Sequence, residues 1–589
     1  MPIVTFLRSN KALVILVVVT LLLTCIPVVH AFLFIGGTWQ GVPQSYGDEI
    51  LYQVQMETIA EGYFNLGNPY FYEHRFDPPL VLFSGSWIAA IPMLLGLPLI
   101  PALILNFSLW SVIFALLCYW LFREFNLGKT AATFGALAGL LSCLDALSRT
   151  NSLQQVNAFF IFFLIALTRF LKYQDRGSII LLGIATGCTF WVFSYLWQTA
   201  VITLGLLFLW ALARKQWTLL KATLLSSALG GAIGLPPILY ILWQTHTPFF
   251  WESVARFGLV NTHLPMAEIF YSGGWIGILL ALLTALYWRF STLRTREYAF
   301  ILLFIAISGL GLWIMQGSNL VTGKLLETGE HLRRFIVPWL ALMTFVSAYL
   351  LWHHRQAMSR IGRALALCVG VVIIGANLYF ASTYIVRYAF FNINPDLWQT
   401  QQLYAAPAAW LQEHEKEPVV VWGDPHGYLV NHIALLTRHF VLYVEAGKYM
   451  MVSNEELRER YLVSRYFNNP TVADLERDLN YFIGRGDTYH HAKTVERGIK
   501  ICRLLNFWSA TRKEACGTPP SSVDLLGKDL FESMEWKFQN DIRPNIGSYL
   551  KKYNVSYILK ETALDTAYTP EALGARLVWS NGRFELYRL

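Results

Sequence analysis

Two groups of ionisable residues stand out in a chain that is otherwise poor in them. The first is Gly47-Asp48-Glu49, an adjacent carboxylate pair just beyond the first apolar run, which ends near Gly36. The second is Lys324, Glu327, Glu330, His331, Arg333 and Arg334, strongly basic where the chain re-enters an apolar segment at Phe335. A carboxylate can serve as a general base, and a pair of them can hold a divalent cation. Arginine presents a planar fork that matches phosphate. Together the groups suit transfer from a lipid phosphate. A hydroxyl attacks, a carboxylate takes its proton, and a cation stabilises the leaving phosphate.

Each group also has a structural reading. Ile50 to Glu61 reads as a helix closed by Gly62, which makes Asp48 an N-cap and Glu49 a first-turn acid. Glu49, Gln53, Glu57 and Glu61 recur every four residues and predict its wet face; Ile50, Leu51 and Val54 predict its apolar one. The arginines could snorkel, or pair with Glu327 and Glu330.

The positioning elements follow from composition. The chain has 589 residues, 55% hydrophobic and only 14% charged, with mean hydropathy +0.43. Soluble domains carry roughly 25% charged residues. The net charge of +8 lies in short loops between apolar runs, with no arginine-rich tract interleaved with aromatics, so nucleic acid is not an expected partner. Arg8 and Lys11 precede an apolar run over about 12–35, longer than a signal-peptide core, which predicts a retained anchor with its N-terminus inside.

Further apolar segments fall at about 80–98, 100–122, 131–147, 154–172, 178–195, 197–213, 219–243, 272–288, 298–315, 335–352 and 364–386, with the break between the fifth and sixth of these placed near Trp197. Loops with Arg123 and Lys129, Lys172 and Arg176, Arg214, Lys215 and Lys221, Arg289, Arg294 and Arg296, and Arg355, Arg360 and Arg363 should face the cytoplasm. That is consistent with an inside N-terminus only if 80–98 enters from outside and stays there. Pro78-Pro79 at its start and Pro92, Pro98 and Pro101 near its end suit a juxtamembrane helix. The expected fold is a polytopic α-helical membrane protein of about 11 transmembrane helices over residues 1–387, with a first outer loop at 37–79 and a juxtamembrane helix at 80–98. A C-terminal extracytoplasmic α/β domain covers 388–589. The expected location is the plasma (inner) membrane, multi-pass, with a cytoplasmic N-terminus.

The C-terminal region alternates strands at 419–422, 440–444, 555–559 and 583–587 with helices at about 454–466, 471–482 and 546–553. Asp424 and His426 follow the first strand, as ligand contacts or as a turn and a surface histidine. Five cysteines lie in apolar segments; Cys502 and Cys516 lie in the polar region and could pair if it is outside the cytoplasm. Outer-loop residues Asp145, Arg149 and Asn151, then His246, Glu252, Arg256 and His263, and Gln316 to Asn319 are weaker candidates for acceptor, lipid or sugar contacts. Paired turns, an aromatic belt and a helix cap account for them equally.

This layout resembles the C-type glycosyltransferase superfamily of polyprenyl-phosphate-sugar-dependent membrane enzymes, which includes protein O-mannosyltransferases and aminoarabinose transferases. The resemblance rests on Asp48-Glu49 in the first outer loop and on Glu73-His74-Arg75-Phe76-Asp77-Pro78-Pro79, where relatives often carry His-Pro-Pro. It also rests on Glu330-His331-Leu332-Arg333-Arg334-Phe335 late in the module. It covers about residues 10–350 and implies an inverting transferase. Asp48 would be the base and Glu49 its partner. His74, Arg75, Asp77, His331, Arg333 and Arg334 would contact substrate, and Asp48 and Glu49 are the candidates for any divalent cation. The implied partners are a polyprenyl-phosphate sugar donor, a glycan, lipid or protein acceptor, and membrane lipids. Asp77 in place of histidine departs from the pattern. Two other classes remain: a lipid-linked-sugar flippase, which should carry mid-span charges or repeated halves, and a non-catalytic scaffold with a binding domain. The spans are nearly free of charge and no halves repeat.

Overall fold

A computed structural model describes residues 10–43, 48–80, 84–149, 152–264, 296–326, 330–353, isolated positions within 360–375, 395–427, 429–484 and 486–589. The membrane part comprises α1 (Lys11–Ile35), α2 (Glu49–Ala60), α3 (Ser84–Leu94), α4 (Leu99–Glu124), α5 (Lys129–Ser148), α6 (Ser152–Tyr173), α7 (Arg176–Val192), α8 (Ser194–Ala213), α9 (Trp217–Gln244), α10 (Phe250–Phe257), α11 (Arg296–Gln316) and α12 (Glu330–His353). Eleven crossings were expected; among the described residues six helices are long and apolar enough, namely α1, α4, α6, α8, α9 and α11. Shorter apolar stretches lie in α3, α5, α7 and α12. The expected spans at 272–288 and most of 364–386 lie outside the described residues.

Helix α3 has 11 residues, about 16 Å of rise against a hydrocarbon core of about 30 Å. Its hydrogen bonds tie it to its neighbours: Trp87 donates to the Phe64 carbonyl at 3.0 Å, Ser86 to Gln55 at 2.6 Å, and Asn106 of α4 to the Ala89 carbonyl at 2.8 Å. The break between α7 and α8 falls at Phe193, whose backbone is extended (φ −164°, ψ 136°), and not at Trp197. Trp197 lies one turn into α8 and stacks on Phe190 of α7 at 5.0 Å, bridging the break.

The bundle core is built by α4, α5, α6, α8, α11 and α12. The closest approach is between α7 and α9, where glycines stand in for side chains. A Cβ on Gly187 would lie 2.4 Å from Ile233 Cβ, and one on Gly234 2.5 Å from a ring carbon of Phe190. Small residues let helices meet backbone to backbone in an apolar medium, where packing replaces the hydrophobic drive.

The C-terminal domain is a five-stranded mixed sheet in the order β4-β3-β5-β7-β6. Its strands are β3 (Val420–Trp422), β4 (Phe440–Val441), β5 (Val555–Glu561), β6 (Arg576–Ser580) and β7 (Phe584–Arg588). β3 pairs in parallel with β4 and β5. It is buried at every residue, as expected of a parallel strand covered on both faces. β6 was not foreseen; it forms a hairpin with β7 around Gly582 (φ +88°), where Asn581 accepts from the backbone N–H of Arg583 and Phe584. Helices α13 (Leu429–Leu436) and α14 (Asn454–Ser464) contribute to the same core, and α15 (His491–Leu505) follows later in the domain. Cys502 and Cys516 form a disulfide. A separate two-stranded ribbon, β1 (Leu259–Asn261) with β2 (Lys324–Leu326), joins two loops of the membrane part.

The second apolar core is shared. Ile50, Leu51, Val54, Met56 and Ile59 of α2, with Leu66, Tyr70 and Phe71, pack with Val421, Trp422, Val441 and Tyr443 of the C-terminal domain. The Tyr70 carbonyl accepts from Val441 N–H at 2.9 Å, extending the sheet edge into the first loop. Gly187→Ala should lower the thermal midpoint of the detergent-solubilised protein by several degrees, since overpacking costs about 1–3 kcal/mol. Gly205→Ala in α8, where nothing lies within 4 Å of the new Cβ, should leave it unchanged or slightly raised.

Candidate active site

Asp48 occupies the N-cap position of α2 yet makes no capping hydrogen bond with its side chain. Its carboxylate instead meets the guanidinium of Arg149, and Arg149 Nε lies 3.6 Å from Glu49 Oε1. Asp48 thus holds the N-cap position, as the sequence suggests, without capping through its side chain, and Glu49 stands in the first turn. Both carboxylates are drawn to one cation. Arg149 immediately follows the last residue of α5, so the site joins the start of α2 to the end of α5. Asp48 is 55% exposed at its side chain and Arg149 23%, so the pair is open to solvent from the Asp48 side.

The opposite end of the bundle is basic and self-paired. Arg169 Nη1 donates to Glu124 at 2.6 Å, and Lys172 Nζ donates to the Glu124 carbonyl at 3.0 Å and to Asn126 at 2.9 Å. These groups lie between the end of α4, the start of α5 and the end of α6. Arg149 is at the far end of α5, about 30 Å away for a 20-residue helix.

Helix α12 runs antiparallel to α5. Phe335 near its start packs on Phe160 at 5.3 Å, and Phe345 further along packs on Phe122 near the basic end, also at 5.3 Å. A Cβ on Gly139 would lie 2.6 Å from Leu342 Cδ2, which marks where the two helices cross. From there, Arg149 lies about 15 Å along α5, and position 333 about 14 Å back along α12. The first turn of α12, with His331, Arg333 and Arg334, thus starts level with Arg149. The side chains of His331, Arg333 and Asp145, and all of Asn151, lie outside the described residues.

His74, Arg75 and Asp77 gather elsewhere, between the first loop and the C-terminal domain. His74 Nδ1 is 2.6 Å from Asp77 Oδ2, and its Nε2 is 3.0 Å from both oxygens of Glu456 on α14. Glu456 accepts from Arg460 Nε at 2.8 Å, and Arg460 Nη2 reaches Glu73 at 2.6 Å. Arg75 lies over the rings of Tyr72 and Phe76, at 3.8 and 4.6 Å. Burial disfavours the imidazolium of His74, but the hydrogen bonds and charges of Asp77 and Glu456 outweigh it and raise its pKa to about 9. Glu456, opposed by burial but held by His74 and Arg460, falls to about 2.

The four-residue stripe on α2 is wet only in part: Glu61 is exposed, while Glu49 and Glu57 are half-buried. Gln53 is buried, and burial, with a smaller contribution from Glu61, pushes Glu57 up to about 7. Tertiary packing wins over helical periodicity here, because the C-terminal domain covers the helix and α13 lies against it. Other candidates serve the fold. Glu252 accepts from the Asn454 N–H at 2.6 Å at the start of α14. Arg256 is fully buried and donates to the carbonyls of Lys448, Met450 and Val452, and to Asn454 and Ser253. His246 and His263 bond backbone carbonyls of Leu242 and Leu320, and Gln316 is buried at the end of α11. At the carboxyl end of β3, Asp424 meets Arg465 at 3.3 Å, and His426 stacks on Tyr481 at 4.2 Å with Asp478 at 3.4 Å. Burial, then Arg465, holds His426 below its usual pKa.

Among the described residues, no three His, Cys, Asp or Glu side chains converge as a metal site would require. Asp48 and Glu49, the candidates for any divalent cation, both face the Arg149 guanidinium.

What the fold and site define is a polytopic membrane protein with an α/β domain at one end and a carboxylate–arginine site at that same end. No family model matches the chain, and no curated protein does. Among solved structures it is similar to ArnT from Cupriavidus metallidurans bound to undecaprenyl phosphate, at 14% identity over 96% of this chain and 97% of that one, with a TM-score of 0.43. The apo form of ArnT gives 14% identity, 95% and 97% coverage, and a TM-score of 0.42. A likeness of that degree leaves the reading of activity to the residues themselves.

The clasp around His74 should be pH-dependent. A histidine raised from 6.5 to about 9 stabilises the folded state fully below pH 6.5, and the contribution fades as pH rises through 9, by up to about 3 kcal/mol. Thermal midpoints measured from pH 6 to 10 should fall for the parent and fall less for His74→Gln, which starts lower.

Proposed function

We propose that the chain is a glycosyltransferase that moves a sugar from a polyprenyl-phosphate donor to an acceptor at the outer face of the membrane, with inversion. The observation that carries this reading is Asp48 itself: it leaves its helix cap unused and turns its carboxylate toward Arg149. It does so at the end of the bundle remote from the basic loops. The positive-inside rule assigns that basic end to the cytoplasm, and the Cys502–Cys516 disulfide supports an oxidising compartment for the C-terminal domain.

In the proposed step, an acceptor hydroxyl gives its proton to the Asp48 carboxylate. The oxygen lone pair forms a bond to the anomeric carbon from the face opposite the donor phosphate. The bond from that carbon to the phosphate oxygen breaks, and its electron pair leaves with the polyprenyl phosphate. Cations on the first turn of α12, Arg333 and Arg334 with His331, meet the charge that develops on the phosphate. The free N–H groups of that helix end add to the same field. Glu49 shares Arg149 with Asp48 and keeps the guanidinium in register. His74, Arg75 and Asp77 act on the acceptor side as positioning residues, by fixing the loop that carries Asp48. The acceptor is a glycan, lipid or protein hydroxyl.

The decisive assay gives nanodisc-reconstituted protein labelled polyprenyl-phosphate sugars and a panel of acceptors. Asp48→Asn should reduce turnover by about 10²–10⁴-fold, the usual contribution of a general base. Full activity in that variant would remove Asp48 from the role of base. Movement of the donor lipid across the membrane without sugar transfer would favour a flippase instead, and neither activity would favour a scaffold. The topology behind the reading has its own check: an accessibility tag at Gly96, after α3, should react from outside the cell, and a cytoplasmic result would turn α3 into a crossing.

A further inference from the structure

The hairpin closed by Cys502 and Cys516 carries a surface that sugar transfer does not use. Leu504, Leu505, Phe507 and Trp508 are 70, 63, 67 and 64% exposed. Phe507 and Trp508 meet edge to face at 5.1 Å, and with the two leucines a turn before them they make an exposed apolar wedge within five residues. Apolar groups of that size clustered at a surface mark a place where something covers them. The residues around the wedge are basic: Lys500, Arg503, Arg512 and Lys513 against a single acid, Glu514, over residues 500–517.

The helix that leads into the wedge passes close to the end of a membrane-crossing helix. Midway along α15, a Cβ on Gly498 would be 3.2 Å from Leu264 Cδ1. The Leu264 carbonyl accepts from Asn319 Nδ2 at 2.8 Å, and Asn319 follows closely on Gln316, the last residue of the membrane-crossing α11. Leu504 is six residues beyond Gly498, about 9 Å along the helix. The same margin exposes Leu264, Leu320 and Val321, at 38, 45 and 87%.

We propose that this disulfide-closed hairpin is a second membrane anchor, which inserts its wedge into the interfacial layer of the leaflet and sets its cations against anionic lipid phosphates. Leucine and aromatic side chains flanked by lysine and arginine have the chemistry of interfacial insertion. Each cation near an anionic surface adds about 1 kcal/mol. The disulfide joins the base of the hairpin and keeps the wedge presented as a unit. The anchor does not depend on the transfer chemistry and would serve a scaffold equally.

The test uses the full chain in nanodiscs, with an environment-sensitive fluorescent amino acid incorporated at position 508 or, as a control, at position 536, where Trp536 is 66% exposed on another helix of the same domain. Both positions are exposed, so neither substitution threatens the fold. Phosphatidylcholine brominated high on its acyl chains should quench the probe at 508 at least threefold more than the probe at 536. Quenching at 508 no greater than at 536 would overturn the anchor, and would leave the wedge to a protein partner. Adding phosphatidylglycerol should deepen the quenching at 508, and Arg512→Ser with Lys513→Ser should cancel that increment. An increment that survives the double substitution would overturn the role given to these cations.

Discussion

One buried charge holds the first loop to the C-terminal domain. Arg460 of α14 is fully buried. Its guanidinium lies between the rings of Phe71 and Tyr553, at 4.4 and 4.1 Å, and reaches Glu73, Glu456 and the Leu442 carbonyl. Taking an arginine out of water costs several kcal/mol, which two carboxylates and two aromatic faces can offset only together. Removing any one of them leaves the rest unbalanced. The clasp extends through Glu456 to His74 and on to Asp77, so residues 71–77 take their shape from a helix nearly four hundred positions away. Because α2 and Tyr70–Phe71 share an apolar core with that domain, the placement of Asp48 depends on the same docking.

A second buried arginine bolts the other side, with the direction reversed. Arg256 projects from α10 of the membrane part into the C-terminal domain and satisfies three backbone carbonyls there. Gly484 has room for no side chain, since its Cβ would lie 2.1 Å from the Cα of Arg256. One loop thus receives a cation and the other donates one. Two such joints, each costly to break, make the domain a rigid roof over the end of the bundle. A reacting constellation needs support of this kind to hold its geometry.

Much of this was legible as pattern. The apolar runs located most of the helices, and Val420–Trp422 read as a buried strand because a parallel strand has no wet face. Asp48 and Glu49 were legible because carboxylates are rare near the ends of spans. Arg149 was singled out only weakly, alongside Asp145 and Asn151, since no spacing rule links positions 48 and 149. The stripe on α2 misled in part, at Gln53, because periodicity shows that a helix has two faces but not how much of the polar one a distant domain covers. The clasp was invisible for the same reason: Glu456 and Arg460 look like an ordinary i, i+4 surface pair on α14, and only the fold shows that Phe71 and Glu73 bury them. The break at Phe193 was misplaced by a turn because Trp197, the bulkier residue, stacks across the gap instead of making it.

The two arginine–carboxylate pairs that matter differ chiefly in exposure, and that difference suits their tasks. At Arg460 the guanidinium is buried and its two carboxylates are only about a quarter exposed, and separating a buried pair costs about 3–5 kcal/mol. At Arg149 the Asp48 carboxylate is more than half exposed, and exposed pairs contribute about 0–1 kcal/mol. A carboxylate locked as Glu456 is could not exchange its cation for a hydroxyl during each turnover without losing much of any rate gained. Asp48, as the base in the proposed transfer, would do so at little cost, because water already competes for it. In that proposal the guanidinium aims the carboxylate while no acceptor is bound, and yields at little cost when a hydroxyl arrives.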